Sequence, residues 1–247
     1  MISLLALTTL AMAGDFDHDH AAFGKVLEGA VSPEGVDYAQ LAERREALDA
    51  YLATVAAADA SGFTPEQQLA LYVNAYNAYT VQTMLTEGPP ASIRDLNDGK
   101  VWDARTFDVA GRTMTLNEME HGHARKLADG RVHAVVNCAS KGCPPLPAEP
   151  LRASTVEAQL TAAATTWATT NAYVLDGDTV KLSKIFDWYG DDFAAVKAER
   201  DLEGVDGKAE QALWFLAPLV DEDAREKLLS GTVSVEWNPY DWSLNQR

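Results

Sequence analysis

The feature that most constrains the fold is one long helix with almost no polar face. Thr64 can cap its N-terminus, Pro65 takes the first helical position and Gln67 stands three residues after the cap, so a helix is predicted to begin here. It extends to about Glu87, and the segment LALYVNAYNAYTVQTML is apolar or aromatic on nearly every side. Because such a helix must be covered on most sides, we predict that it lies at the centre of the core.

Two amides interrupt this apolar helix. Asn74 and Asn77 are three residues apart and therefore lie on one stripe. A buried amide without partners costs roughly 1–3 kcal/mol, so each needs a hydrogen-bonding role. Either the two amides pin the backbone of a neighbouring loop, which is the more common structural case, or they line a pocket.

The rest of the chain predicts a mixture of helices and hairpins. Turns are expected at Ala110-Gly111 and at Asp176-Gly177, and Thr115 with Glu118 predicts a capping box at the start of a helix over 116–128. The β-rich run RVHAVVN predicts a central strand that ends at the cysteine segment. Because no strand–helix–strand rhythm repeats, the fold class is α+β: a buried central helix packed on a small mixed or antiparallel sheet, with a papain-like general architecture.

The first residues predict export. An apolar run ends in Ala11-Met12-Ala13, a small-x-small cleavage pattern, so residues 1–13 are interpreted as a signal peptide and the mature protein as periplasmic or secreted. An N-terminal leader segment is expected over 14–37. Its first run, DFDHDH, is expected to be mobile or loosely packed and solvated, the alternative being that His18 and His20 bind a divalent metal. A single domain follows over 38–247, and no second apolar segment reaches the length of a membrane span.

The charge of the chain excludes one class of partner. It carries 37 acidic and 20 basic residues, a net charge of −17, and no cluster of Lys or Arg interrupts the acidity. Nucleic acid is therefore not an expected partner, because its phosphates favour a basic surface. The expected partner is a small-molecule or peptide ligand, whose identity the sequence does not specify.

The segment NCASKGCPPL holds both cysteines of the chain, Cys138 and Cys143. Three interpretations stand side by side: a small disulfide loop, part of a metal site, or one reactive thiol with a neighbour. Zinc needs four ligands and no second cysteine pair exists, so the metal interpretation is the weakest, and no cofactor is predicted. An oxidising compartment would favour the disulfide.

Histidines near the cysteine segment are candidates for activating a thiol. Helical spacing places Glu118, His121 and Arg125 on one face. Alternation along the predicted strand places His133 and Cys138 on opposite sides, so His121, which comes from another element, is the freer candidate base.

Several motifs together resemble one known family. The segments LYVNAYNAYTVQTML, LNEMEHGHARKL, RVHAVVNCASKGCPPL, LSKIFDWYGDDF and YDWSLN, in this order, are similar to bacterial members of the domain of unknown function 547 family over about residues 65–245. The resemblance implies that Cys138 has a role of its own, whereas serine can take the place of Cys143. The sequence departs from the family pattern at Ala139, where glycine is usual. The site that it implies consists of Asn74, Asn77, Glu120, His121, Arg125, His133, Asn137 and Cys138.

Two functional hypotheses follow from these residues. In the first, the chain is a thiol-dependent hydrolase or acyl transferase with Cys138 as nucleophile, His121 as general base and Glu120 as its orienting group. Glu118 or an asparagine amide is an alternative orienting group, and the amides with loop N–H groups would stabilise an oxyanion. In the second, the chain is a non-catalytic periplasmic binding or interaction module whose Cys138–Cys143 disulfide braces a loop. The residues expected to line the site are Asn74, Asn77, Glu118, Arg125, His133, Asn137 and Cys143.

Overall fold

The computed structural model describes residues 16–196 and 201–247, so the predicted signal peptide over 1–13 lies outside the described residues. The α-helices are α1 (Ala21–Leu27), α2 (Tyr38–Glu43), α3 (Arg45–Ala57), α4 (Pro65–Glu87), α5 (Val101–Ala104), α6 (Arg125–Leu127), α7 (Val156–Thr170), α8 (Lys184–Trp188), α9 (Gly207–Leu216) and α10 (Glu222–Leu228). The strands are β1 (Val31–Ser32), β2 (Gly35–Val36), β3 (Thr106–Val109), β4 (Arg112–Thr115), β5 (Tyr173–Asp176), β6 (Thr179–Leu182) and β7 (Ser234–Trp237).

Helix α4 is the central element of the larger core, as its sequence predicts. It packs against α2, α3 and the helical segment that precedes α6, and its residues are buried from Leu69 to Val81 without interruption. Its start has the predicted capping box: the Thr64 N–H donates to Gln67 Oε1 at 2.9 Å, and the Gln67 N–H donates to Thr64 Oγ1 at 3.3 Å.

Replacing Thr64 with alanine should lower the free energy of unfolding by about 1 kcal/mol, because an alanine cannot accept the hydrogen bond from the Gln67 N–H. Urea denaturation at constant pH measures this difference. Thr64→Ser is the matched control, since serine keeps the accepting hydroxyl, and a loss of equal size in both variants would contradict a capping role.

The sheets are small, and with the helices they confirm the α+β class. Strands β1 and β2, and strands β3 and β4, form two antiparallel pairs, while β5, β6 and β7 form a mixed three-stranded sheet in which β7 is parallel to β6. Both predicted hairpins are confirmed, and Ala110 and Gly111 adopt the positive φ values, 50° and 70°, of a tight two-residue turn. Helix α4 contacts the β3–β4 hairpin, where the Tyr79 hydroxyl donates to the Asp108 carbonyl at 2.6 Å.

The three-stranded sheet belongs to a second apolar cluster. Here Trp167 of α7, Phe186 of α8 and Phe215 of α9 contact one another and Phe193, which ends a 3₁₀ helix over Gly190–Phe193. Among the described residues, no helix has both the length and the apolar character that crossing a bilayer requires.

The described part of the predicted leader segment packs on the larger core, and the expected loose packing of the run DFDHDH is wrong for His20, although Asp17 and Asp19 are exposed. Phe23, Val26 and Leu27 of α1 lie in the larger core. His20 is only 1 % exposed and its Nδ1 lies 2.9 Å from the Tyr51 hydroxyl. Burial lowers the pKa of His20 to about 4, so this imidazole is neutral near neutral pH.

The central strand predicted for RVHAVVN is also wrong. The chain forms a 3₁₀ helix over Gly130–Ala134, which the Asp129 carboxylate caps by accepting from the Arg131 N–H at 2.9 Å. Beyond this turn, the Asn77 side chain bonds two backbone groups: Asn77 Nδ2 donates to the Val135 carbonyl at 2.7 Å, and the Asn137 N–H donates to Asn77 Oδ1 at 2.9 Å. The side chain of Asn77 thus makes the hydrogen bonds that a neighbouring strand would have made.

Candidate functional site

A cleft of about 370 Å³ lies where the segment before α6, the cysteine loop, α8 and the C-terminal tail meet. We call it the aromatic cleft. Its lining residues are Tyr76, Trp102, Asn117, Glu120, His121, His133, Val136, Cys138, Cys143, Ile185, Trp188, Tyr189, Tyr240 and Trp242.

Three aromatic side chains form a continuous wall of the cleft. The Trp188 ring lies 4.8 Å from Tyr240 and 5.9 Å from Trp242, and the Tyr240 and Trp242 centroids are 4.5 Å apart. Trp188 is 46 % exposed, which is a high fraction for so large an apolar side chain. An exposed tryptophan over a cleft provides a flat apolar surface on which a ligand can stack.

The helix that carries Glu120 and His121 has a π-helical segment over Glu118–Ala124, where an α-helix was expected. Wider turns of this kind often occur at functional sites. The segment turns the Glu120 carboxyl inwards, where burial raises its pKa to about 7, against the opposing influence of Arg125 and of the Tyr76 hydroxyl. Near neutral pH this carboxyl is therefore divided between its protonated and ionised forms.

His121 lies beside this carboxyl and is only partly buried. Its Nδ1 is 3.8 Å from Glu120 Oε1 and 3.1 Å from Arg125 Nη1. Because a guanidinium only donates, Nδ1 accepts this hydrogen bond and the proton of the neutral ring is on Nε2. Burial first, then Arg125 and His133, lower the pKa of His121, so the ring is neutral near neutral pH.

Asp192 connects the basic groups behind the cleft. It accepts hydrogen bonds from Arg125 Nε at 2.6 Å and Arg125 Nη2 at 3.0 Å, and its Oδ2 lies 2.7 Å from His133 Nε2. Burial by itself raises the pKa of Asp192, but the hydrogen bonds from His133 and Arg125 outweigh it and hold the pKa well below its usual range. The Arg125 guanidinium also lies over the Tyr189 ring, 4.7 Å from its centroid.

Cys138 and Cys143 form a disulfide in the wall of the cleft. Of the three interpretations of the cysteine segment, the structure shows the disulfide, and a sulfur in a disulfide has no thiolate to act as nucleophile. Within residues 16–196 and 201–247, the side-chain hydrogen-bond partners of the two sulfurs are the hydroxyls of Ser140 and Tyr240, and no imidazole contributes a hydrogen bond.

The cysteine loop is fixed by hydrogen bonds on two sides. Asn137 Nδ2 donates to the Pro144 carbonyl at 2.8 Å, and the Ala139 N–H donates to Asn137 Oδ1 at 2.9 Å. From the C-terminal tail, the Asp241 and Ser243 carbonyls accept from the N–H groups at 142 and 141, both at 2.8 Å. Ala139 has φ of 61°, a left-handed conformation that favours glycine.

The predicted site residues fall into two groups. Glu120, His121, His133, Cys138 and Cys143 line the aromatic cleft together. The other predicted residues do not line it: Asn74, Asn77, Glu118, Arg125 and Asn137.

Three asparagines act on backbone groups and not on the cleft. Asn77 and Asn137 hold the cysteine loop as described above, and Asn74 bonds both backbone polar groups of Leu151, at 2.8 and 2.9 Å. Because these amides are engaged with backbone, the structure favours the interpretation in which they pin neighbouring loops. Their contacts do not favour the predicted use of Asn74 or Asn77 in an oxyanion site, because both amides already bond backbone groups.

Glu118 and Arg125 have contacts that differ from a direct role in orienting a base. Glu118 completes the predicted capping box with Thr115, through hydrogen bonds of 2.7 and 3.1 Å. Its carboxylate caps the helix, so its contacts favour a structural role over orienting His121. The side chain that bonds His121 Nδ1 is Arg125, at 3.1 Å.

Sequence reasoning missed most of the far wall of the cleft. Tyr189 and Trp188 of that wall, and Asp192 behind it, belong to the segment KIFDWYGDDF, whereas Tyr240 and Trp242 belong to YDWSLN. The nearest of these residues, Trp188, comes 45 positions after Cys143, so no local spacing connects them to the cysteine loop. The only sequence signal was that both segments belong to the motifs carrying the family resemblance.

The metal interpretation of the cysteine segment finds no support in the part of the chain that the structure describes. No group of three or more His, Cys, Asp or Glu side chains is arranged there to hold a metal ion. Both cysteines are also bound to each other, which leaves no thiolate ligand.

Comparison with known proteins gives one match. No curated protein and no solved structure matches the chain, so the papain-like expectation stays a prediction. Residues 60–168 match the model of the family described as Protein of unknown function, DUF547. The matched range contains the α4, Glu120-His121 and cysteine motifs, whereas KIFDWYGDDF and YDWSLN lie beyond it. This match supports the placement of the chain in the DUF547 family.

Proposed function

We propose that the chain binds a small organic molecule in the aromatic cleft, and that the Cys138–Cys143 disulfide braces one wall of that cleft. The observation that carries this proposal is the composition of the cleft. It combines an apolar aromatic wall with few polar groups in about 370 Å³, which is within the size range of small-molecule sites.

The polar groups of the cleft indicate what such a ligand offers. The buried Glu120 carboxyl donates a hydrogen bond in its protonated form, and the neutral His121 ring donates through Nε2. Both groups therefore favour a ligand with hydrogen-bond acceptors. The exposed Trp188 ring favours a flat apolar face on the same ligand.

Export is part of this proposal. The predicted signal peptide over 1–13 is its basis, and the disulfide supports it because disulfides persist mainly in oxidising compartments outside the cytoplasm. A fusion of residues 1–20 to a reporter that is active only after export tests it, with retention in the cytoplasm as the contradicting result.

A second candidate is a thiol-dependent hydrolase or acyl transferase that works in the reduced state. It is favoured by one observation: Cys138, His121 and Glu120 line the same cleft. Reduced protein should release nitrophenol from p-nitrophenyl acetate in a burst, and Cys138→Ser should abolish that burst. Equal bursts from the wild type and from Cys138→Ser would end this candidate.

Replacing Trp188 with alanine should remove ligand binding without unfolding the protein. The ring is 46 % exposed, so its loss opens the cleft but leaves no buried cavity. A panel of small aromatic and polar molecules is screened against wild-type protein by thermal shift and ligand-observed NMR. Molecules that bind are then expected to lose at least tenfold in affinity towards Trp188→Ala.

The matched control is Leu175→Ala, which truncates a side chain that is 40 % exposed on strand β5, outside the cleft. Binding that survives in Trp188→Ala, or that is lost equally in Leu175→Ala, would contradict the assignment of the cleft as the binding site.

A further inference from the structure

We infer that the Cys138–Cys143 disulfide is open to exchange with a low-molecular-weight thiol that enters the aromatic cleft, and that Cys138 is the sulfur attacked while Cys143 leaves as the thiolate. This goes beyond ligand binding, because it assigns a covalent reaction to the wall of the cleft.

The two sulfurs differ in their access to the cleft. Both cysteines line the cleft, but Cys138 is partly exposed, whereas Cys143 is only 7 % exposed. Thiol–disulfide exchange requires the attacking thiolate to approach one sulfur along the S–S axis, so access selects the sulfur that is attacked. The difference in exposure selects Cys138.

The two sulfurs also differ in how well the surroundings accept a negative charge. The Tyr240 hydroxyl lies 3.2 Å from Cys143 Sγ and 3.3 Å from Cys138 Sγ, and the Ser140 hydroxyl lies 3.0 Å from Cys138 Sγ. The donor that distinguishes the sulfurs is the Cys138 N–H, which donates to Cys143 Sγ at 3.1 Å and is fixed by the backbone. When the S–S bond breaks, the departing electron pair stays on Cys143, where this N–H is already in place and the Tyr240 hydroxyl is within reach. A better-stabilised thiolate is a better leaving group, so these donors favour the departure of Cys143. Exposure and hydrogen bonding therefore both favour attack on Cys138.

Ser140 reinforces the Tyr240 hydroxyl as a donor. The Ser140 hydroxyl donates to the Tyr240 oxygen at 3.0 Å, which leaves the proton of Tyr240 for a sulfur. Tyr240 is held by close packing on Gly142, where any Cβ would lie 2.9 Å from the tyrosine ring. The C-terminal tail therefore fixes a donor within reach of both sulfurs, including the one that leaves.

The proposed reaction has two exchange steps. In the first, a thiolate RS⁻ forms a bond to Cys138 Sγ, the Cys138–Cys143 bond breaks, and Cys143 takes the electron pair and then a proton. A second RS⁻ attacks the sulfur of R in the Cys138–S–S–R mixed disulfide, which releases RSSR and the Cys138 thiolate. Two thiols are oxidised to one disulfide while the protein disulfide is reduced to two thiols.

The test uses the oxidised full-length chain and reduced glutathione as the probe. Samples are quenched with an alkylating agent and analysed by mass spectrometry, which gives the rate of reduction and the site of any adduct. Tyr240→Phe keeps the packed ring but loses one donor to the leaving thiolate, so its reduction should be about tenfold slower. Tyr173→Phe, on strand β5 outside the cleft, is the control and should react as the wild type does.

Single-cysteine variants test the direction of attack. With oxidised glutathione, Cys143→Ser should form an adduct on Cys138 at least tenfold faster than Cys138→Ser forms one on Cys143. The inference is overturned by the reverse order, by equal rates in Tyr240→Phe and Tyr173→Phe, or by reduction that occurs only when denaturant unfolds the chain. The Trp188→Ala binding test is done without any thiol, so its failure is separate from failure here.

Discussion

Alanine in place of Asn77 should lower the free energy of unfolding by about 3 kcal/mol. The side chain is 3 % exposed and bonds two buried backbone groups, the Val135 carbonyl and the Asn137 N–H. Alanine leaves both groups without a partner, and each unsatisfied buried group costs about 1–3 kcal/mol. Urea denaturation followed by far-UV circular dichroism measures the loss, with the slope of the transition used to check that it stays two-state.

Thr80→Val on the same helix is the matched control. Thr80 is 2 % exposed, and within the described residues its hydroxyl has no hydrogen-bond partner, so valine removes a buried polar atom at nearly constant volume. This variant should be as stable as the wild type or more stable. If Asn77→Ala were no less stable than Thr80→Val, the amide would not be what holds the cysteine loop.

The central helix and the hairpins were predictable because their signals are local. The Thr64–Gln67 capping box and the Ala110-Gly111 turn are each specified by residues within a few positions of one another. The packing of the segment around His20 was not predictable in this way, because its partner Tyr51 lies 31 positions away.

The failed strand prediction shows where a local signal is overridden. RVHAVVN has the β-branched composition of a strand, yet Asn77, about 60 positions earlier, bonds the polar groups of Val135 and Asn137. The sequence predicts two alternative roles for the buried amide, and pinning a loop is one of them. What the sequence did not contain was the identity of that loop.

The site was predictable on one side only. Glu120, His121 and Cys138 come from adjacent stretches of chain and do line one cleft. Tyr240 comes from the C-terminal tail, and its place at the two sulfurs depends on the fold of the whole domain. The state of the cysteines also depends on the fold, since a disulfide requires that the loop bring the two sulfurs together.

The buried Glu120 carboxyl makes the stability of the fold depend on pH. Its pKa is raised from the ordinary value of 4.5 to about 7 in the folded state. Between these two values the folded state binds more protons than the unfolded state, so this group's contribution is fully present below pH 4.5 and is lost as the pH rises through 7. A shift of this size corresponds to about 3 kcal/mol. His20 acts in the opposite sense, because its lowered pKa costs stability as the pH falls from 6.5 towards 4.

Glu120→Gln should therefore become more stable relative to the wild type as the pH rises. The difference in unfolding free energy is expected to increase by about 3 kcal/mol between pH 4.5 and pH 8, because glutamine has no charge to bury. Urea denaturation of both proteins across this range measures the difference, and the contribution of His20 cancels because both proteins contain it.

Glu118→Gln is the control. It makes the same chemical change in an exposed side chain, where glutamine can keep the capping hydrogen bond to Thr115. A pH-independent difference for Glu120→Gln, or an equal increase for Glu118→Gln, would show that the Glu120 carboxyl is ionised without penalty and is not available as a proton donor in the cleft.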